Sequence, residues 1–169
     1  MRLEKPFYLQ SAETVAPLLL GTFLCVQKGS EVYRLKITET ECYQGEEDTA
    51  CHAHKGKTPR TEVLYREGGC AYIYLCYGIH HLLNVVTGPA GHPQAVLIRG
   101  VEGFPGPGRL TKKMGITKEF NREDLCSSSR IWLEPGEAPC PQYQSGPRIG
   151  IGYASQQDQD RAWRFWISP

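Results

Sequence analysis

The sequence predicts an α+β fold, a single mixed domain over residues 1 to 169, with a mainly antiparallel sheet and short helices. Three observations carry that expectation. Residues 32 to 43 begin by alternating apolar and polar side chains, the period of a half-buried strand. Strand-like runs meet at tight glycine turns, at "KGS" (28 to 30) and near Gly78, as hairpins do. Helical spacing is confined to two short segments, and no repeat, low-complexity tract or linker divides the chain.

The elements follow in order. Residues 9 to 21 form a short helix: Ser11 can cap it, Val15, Leu18 and Leu19 recur at helical spacing, and Gly21 can end it. Strands follow at 22 to 27 and 31 to 43. Residues 44 to 69 are polar and carry Gly45, Gly56, Pro59, Gly68 and Gly69, a loop of the length that tends to bear function. The stretch "AYIYLCYGIHHLLNVVTG", 71 to 88, predicts two strands, and "AVLIRGVE", 95 to 102, another. From 104 to 118, "FPGPGRLTKKMGITK" opens with Pro and Gly, then sets Leu110 and Met114 at helical spacing until Gly115 stops it. "RIGIGY" (148 to 153) and "AWRFWIS" (162 to 168) complete the sheet as strands.

Composition narrows the function. A chain of 169 residues buries a sizeable core without disulfides or metals. Its 19 basic and 18 acidic residues give no general positive field, so a polyanion has to be met by a local patch. Arg109, Lys112, Lys113 and Lys118 beside the amides of a helix start suit phosphate, although on charge alone a solvated basic helix is the better fit. Seven cysteines with no C-x-x-C pair argue against a secreted disulfide framework. No stretch approaches the roughly 20 apolar residues that span a membrane, and the N-terminus lacks a cleavable signal. The expectation is a soluble protein of a reducing compartment. Cys42, Cys51, His52, His54, His80 and His81 are zinc-type ligands, but C-x8-C-H-x-H matches no usual spacing, and no metal is expected.

The chemistry centres on a conflict in "ITETECYQ". By parity the odd face reads Tyr33, Leu35, Ile37, Glu39, Glu41, Tyr43, so two carboxylates continue an apolar face. Either the strand ends near Ile37 and the glutamates are solvated, or they are paired, protonated or placed at a wet functional site. Arg99 shares parity with Ala95, Leu97 and Val101, so a second strand sets a cation on its apolar face, unless that strand end is exposed. Tyr43, Tyr72, Tyr74 and Tyr77 add aromatic faces, which stack on bases and favour a cationic ring.

"ETECYQGEEDTACHAHKGKTPR", "GCAYIYLCYGIHHLLNVV" and "AVLIRGVE", with the terminal "RIGI" and "RF", together resemble the alkyladenine (3-methyladenine) DNA glycosylase family of the mammalian type, from about Ala16 to Phe165. The resemblance implies a curved sheet with a protruding β-hairpin, no cofactor, and monofunctional removal of damaged purines from double-stranded DNA. It assigns Glu41 as the base that activates water, and Arg99 and the Ile149 carbonyl as the groups that orient that water. Tyr43, His52 and Tyr74 become the pocket for the flipped base, Tyr77 the wedge in the duplex, and Asn84 the residue that excludes guanine. It further implies a compact bacterial member, acting as a monomer on nucleoid DNA in the cytosol, with neither a membrane nor an obligate protein partner. A damage-binding protein with the same pocket and little turnover is the alternative. Departures from the family pattern fall at Thr61, and at Cys42 and Cys51, which are expected to border the pocket.

Overall fold

The structure, a computed structural model, describes residues 1–138 and 141–167. A one-turn helix not expected from the sequence, α1 (Lys5–Tyr8), precedes the helix expected over 9 to 21, which is α2 (Ala12–Leu18). Ser11 separates them because its side chain accepts the Thr14 N–H and caps α2. Strands β1 (Phe23–Lys28) and β2 (Glu31–Gln44) pair across the "KGS" turn, and β3 (Ala71–Cys76) and β4 (His80–Val86) pair across Tyr77, Gly78 and Ile79. Then come β5 (Gln94–Val101), the two-residue β6 (Phe104–Pro105) and helix α3 (Pro107–Met114), which Gly115 ends in the left-handed region. Strands β7 (Ile131–Glu134) and β8 (Tyr143–Gly146), helix α4 (Gln156–Asp160) and β9 (Arg164–Ile167) close the chain. The expected strand at 162 to 168 is therefore β9, with Ser168 outside the described residues.

Among the described residues all the strand pairs are antiparallel, in the order β3-β4-β5-β2-β1-β7, with β6 on β5, β9 on β2 and β8 on β9. One face of this curled sheet packs on α2 and α3 around Val15, Leu19, Cys42, Ile73, Val96, Ile98, Leu110 and Met114. The other face, at Tyr72, Val86 and Ala95, is covered by the 44–69 loop through Cys51, Ala53, Val63 and Leu64. Two 3-10 turns order that loop, His52–Lys55 and Glu62–Tyr65.

Three expectations change. "RIGIGY" forms no strand: residues 148–153 run as an irregular segment, because their polar groups are taken up by the site below and not by a ladder. β7, β8 and α4 were not legible, being short and weakly patterned. The parity of β2 does not hold to its end. Between Ile37 and Thr40 the pairing with β5 slips at Glu39, opposite Gly100, and then recovers. The irregularity turns both strands over together: Ile37 and Val101 face the α2/α3 core before it, Thr40, Cys42, Ile98 and Val96 after it. Glu41 and Tyr43 therefore lie on the face opposite Ile37. A strand of period two can carry a carboxylate into the site without setting it among the core side chains.

Candidate active site

After the bulge, four neighbouring strands present their site-facing side chains in register. Tyr72 pairs with Asn84, Asn84 with Leu97 and Leu97 with Glu41, so one row crosses β3, β4, β5 and β2. Two residues along β2, Tyr43 pairs with Ala95, and two along β5 lies Arg99. The residues that the sequence separates by as much as 58 positions become neighbours through this ladder, since adjacent strands lie about 4.8 Å apart.

Glu41 is fully buried, at 0 % exposure. The Tyr43 hydroxyl donates to its Oε1 at 2.7 Å, the Ile149 backbone N–H donates to its Oε2 at 2.7 Å, and the Arg99 Nη1 lies 3.6 Å from Oε1. Burial raises its pKa above the ordinary glutamate value, while Arg99, the Ile149 N–H and the Tyr43 hydroxyl all pull it back. The two hydrogen bonds use two of the roughly four acceptor positions of the carboxylate, and Arg99 covers the Oε1 side. Its covering partners Tyr43, Arg99 and Ile149 all line a cleft of about 640 Å³. Ile149 meets the carboxylate through its N–H, whereas the resemblance gave a role to its carbonyl. Glu39 serves the arginines: Arg99 Nε lies 3.2 Å and Arg164 Nη1 3.5 Å from its Oε2, which holds Arg99 beside Glu41.

The aromatic groups gather beside it. His52 and Tyr74 meet edge to face with ring centroids 4.4 Å apart, and the His52 Nδ1 is hydrogen-bonded to the Tyr72 hydroxyl at 2.8 Å. With Tyr43, Cys51 and Asn84 they bound a slot of about 40 Å³. Asn84 Nδ2 donates to the Tyr72 carbonyl at 3.2 Å, which fixes its amide at the slot wall. Tyr77 stands at the hairpin tip, 91 % exposed, on the lip of the larger cleft. Its φ of 53°, followed by Gly78 at 70°, makes a turn with two left-handed residues, which suits the twist of a two-stranded ribbon but strains a tyrosine.

The family model for methylpurine-DNA glycosylase (MPG) matches residues 6–105 and 102–169, all but the first five positions. The chain belongs to this family. Membership makes it an enzyme of the DNA-glycosylase class, a hydrolase of N-glycosyl bonds in DNA repair. A protein of Myxococcus xanthus (strain DK1622) is 46% identical over 176 residues, covering 98% of this chain and 89% of its own. One of Borreliella burgdorferi (strain ZS7) is 41% identical over 177 residues, covering 98% and 95%. One of Methanocella arvoryzae (strain DSM 22066 / NBRC 105507 / MRE50) is 40% identical over 184 residues, covering 97% and 91%. All three bear the name "Putative 3-methyladenine DNA glycosylase".

Within this family frame, the structure moves one expected pocket residue. Cys51 lines the slot, but Cys42 points to the opposite face of the sheet and packs in the α2/α3 core, because it follows Glu41 on a strand of period two. Thr61 is buried away from the slot, where its hydroxyl accepts the Thr58 N–H at 2.9 Å and donates to the Gly56 carbonyl at 3.0 Å, closing the loop on itself. Of the zinc-type residues, His54 is taken up by the Glu46 carbonyl at 2.7 Å, and among the described residues no three His, Cys, Asp or Glu side chains converge.

Sequence reasoning missed three neighbours of the site. Arg148 and Asp48 form a buried two-point ion pair at 2.7 and 3.0 Å. Tyr153, 70% exposed, lines both the slot and the cleft and donates from its hydroxyl to the Ala50 carbonyl at 3.0 Å. Arg148 and Asp48 stand inside the stretches "RIGI" and "EEDTA", yet charged residues in polar loops give no sign of burial until a partner from elsewhere meets them.

One prediction concerns His52. Burial first, and the Arg60 guanidinium second, lower its pKa from 6.5 to about 4, so the ring is neutral near pH 7. Between those values the unfolded chain binds the extra proton. His52 thus contributes stability that is complete above 6.5 and lost as the pH falls toward 4. His52→Asn is expected to reduce the drop in urea midpoint between pH 7 and pH 5, and an unchanged drop would place the titration elsewhere.

Proposed function

We propose that this enzyme flips damaged purines out of duplex DNA and hydrolyses the N-glycosidic bond with a water activated by Glu41, leaving an abasic site. The observation that supports the reading best is a fully buried carboxylate held by Arg99, Tyr43 and the Ile149 N–H immediately behind a cleft ringed by aromatic side chains.

Chemistry on a stacked base needs the nucleotide extruded, which costs a few kcal/mol and least for a damaged base. Tyr77, exposed on a ribbon that projects its ring from the fold, fills the gap left in the duplex. The base passes over the cleft into the slot between Tyr43 and Tyr74. In the present state that slot, at about 40 Å³, is too small for a purine, so entry of the base parts the 4.4 Å contact of His52 with Tyr74. A cationic alkylpurine gains there from the aromatic faces and is already a good leaving group.

The water lies against Glu41 beside Arg99, which orients it and offsets the cost of the buried charge. Tyr43 stays a phenol, its pKa raised by burial and then by Glu41, and so serves as donor to the carboxylate. The cleft is lined by two arginines, Arg99 and Arg109, and no lysine, which supports hydrolysis in place of attack by an amine at C1′. The substrate class is damaged purines, alkylated ones with deaminated or etheno-bridged ones as further candidates, and the site of action is bacterial cytosolic DNA without an obligate protein partner.

The deciding assay is single-turnover release of base from duplexes with one 7-methylguanine, hypoxanthine or ethenoadenine, with alkali added to reveal abasic sites. Tight binding with no release of any base would support the damage-binding alternative instead. A companion prediction concerns Asn84, whose buried amide stands at the slot wall. Removing it makes room for the 2-amino group, so Asn84→Ala is expected to raise release of undamaged guanine by about 10- to 100-fold. An unchanged guanine rate in a folded variant would remove Asn84 from the selection step.

A further inference from the structure

Three segments supply the proposed site: Glu41 and Tyr43 come from β2, His52 from the loop that follows it, and Ile149, about a hundred positions on, from the irregular segment after β8. One side chain touches the support of all three. Arg148 Nη1 donates to Asp48 Oδ2 at 2.7 Å and to the Cys42 carbonyl at 2.9 Å; its Nη2 donates to Asp48 Oδ1 at 3.0 Å and to the Asp158 carbonyl at 3.2 Å. Its guanidinium lies over the rings of Tyr43 (4.9 Å) and Trp163 (5.1 Å). Asp48 in turn accepts the Gln44 N–H at 3.0 Å and the Ala50 N–H at 3.1 Å, which fixes the start of the loop that carries His52. The residue after Arg148 supplies the N–H to Glu41.

We propose that Arg148, anchored by Asp48, is a positioning residue of the active site, setting the Tyr43 ring, the Ile149 N–H and the His52 loop around Glu41 at once. The inference rests on the glycosylase reading only for the reaction it serves; the positioning itself is a statement about Glu41 and Tyr43.

A buried ion pair alone is weak evidence for stability, since apolar residues can replace such pairs without loss. What distinguishes this one is its geometry. A planar guanidinium forms the two-point fork with Asp48 and still has N–H groups for two carbonyls, which a lysine ammonium cannot reproduce. It lines neither the slot nor the cleft itself and stands behind the Tyr43 wall, so it acts through Tyr43 and the backbone of Ile149.

The charge also has a consequence for Glu41. The groups around that carboxylate are Arg99 from β5, Tyr43 from β2, the Ile149 N–H and Tyr153 from the irregular segment, and Tyr74 from β3, with Glu39 close by and occupied by Arg99 and Arg164. Burial raises the Glu41 pKa and Arg148 is among the groups that lower it. Without Arg148 the carboxylate keeps its proton to higher pH, and the acidic limb of the rate profile moves up.

The test uses the full chain with Arg148→Lys and the neutral pair Asp48→Asn/Arg148→Gln, since Arg148→Gln alone leaves Asp48 buried without a cation. Glu41 is followed by carboxylate carbon-13 shifts across pH, and excision by single-turnover release from a hypoxanthine or 7-methylguanine duplex. In the neutral pair the Glu41 titration is expected to move upward, with the acidic limb moving alongside it. Its excision rate falls about tenfold or more through misplacement of the site. In Arg148→Lys the titration stays near that of the wild type while the rate falls about fivefold or more, the charge being kept and the fork lost.

A folded neutral pair with unmoved titration and wild-type rate overturns the proposal. Should the neutral pair not fold, Arg148→Lys decides: a slowed rate supports the proposal and a wild-type rate overturns it. Wild-type protein that releases no base, combined with a Glu41 titration that still moves in the neutral pair, defeats the glycosylase mechanism and leaves the positioning role standing.

Discussion

Glu41→Gln is expected to slow single-turnover base release by about 10²–10⁴-fold, the usual worth of a general acid or base, while binding to a lesion duplex stays within a few-fold of the wild type. The amide fits the same space. One oxygen still accepts the Ile149 N–H at the place of Oε2, and the Tyr43 hydroxyl can turn to accept from the new NH₂ where it donated at 2.7 Å before. Arg99 keeps Glu39 as its partner at 3.2 Å, so no buried cation is left alone. The variant therefore retains the fold and the slot, and loses the group that takes a proton from water. The pH profile follows from the same carboxylate. Because burial raises its pKa, the wild-type rate is expected to fall on the acid side at a pH above the ordinary glutamate value of 4.5, and Glu41→Gln should show no such limb. Release at the wild-type rate by Glu41→Gln would move the base to another residue.

Changes at Tyr77 are expected to act in opposite directions on stability and on lesion capture. Its ring is 91 % exposed and contributes little to the core, so a smaller side chain leaves no cavity. Stacking of an aromatic side chain on a base is worth about 1–3 kcal/mol, so loss of the ring weakens capture of the flipped state roughly 5- to 150-fold. The backbone pulls the other way. A tyrosine at φ 53° stores strain that asparagine tolerates, and Asn-Gly is the preferred central pair of a β-turn with both φ angles positive, as Tyr77 and Gly78 are in the turn closed by the Ile79 N–H on the Cys76 carbonyl. Tyr77→Asn is thus expected to raise stability by about 1 kcal/mol while reducing capture. Tyr77→Ala should reduce capture without the gain. A fall in both stability and capture for Tyr77→Asn would show that the ring packs on the protein and does not wedge into DNA. The strain sits where the fold has least need of it and where a projecting ring has most use.

The order of the two β-hairpins, the Ser11 cap, the α3 stop at Gly115 and the loop over 44–69 were all legible by themselves, because each depends on neighbours within a few residues. So were the residue types of the site, and their motif spacing placed Glu41, Tyr43, His52, Tyr74, Asn84 and Arg99 in one family pattern. Which face those side chains occupy was not legible. The parity of β2 pointed Glu41 to the side of Ile37, and only the slip opposite Gly100, a feature of how two strands pair, turned it to the cleft. Likewise Cys42 reads as a neighbour of the pocket in sequence and is a core residue in space. The ion pair of Arg148 with Asp48 spans 100 positions, and "RIGIGY" looks like a strand until those partners claim its polar groups. Local order follows from short-range sterics and hydrogen bonding, which the chain carries residue by residue. The pairing slip, the buried charges and the convergence on Glu41 depend on contacts between distant segments, whose energies exist only once the sheet has closed.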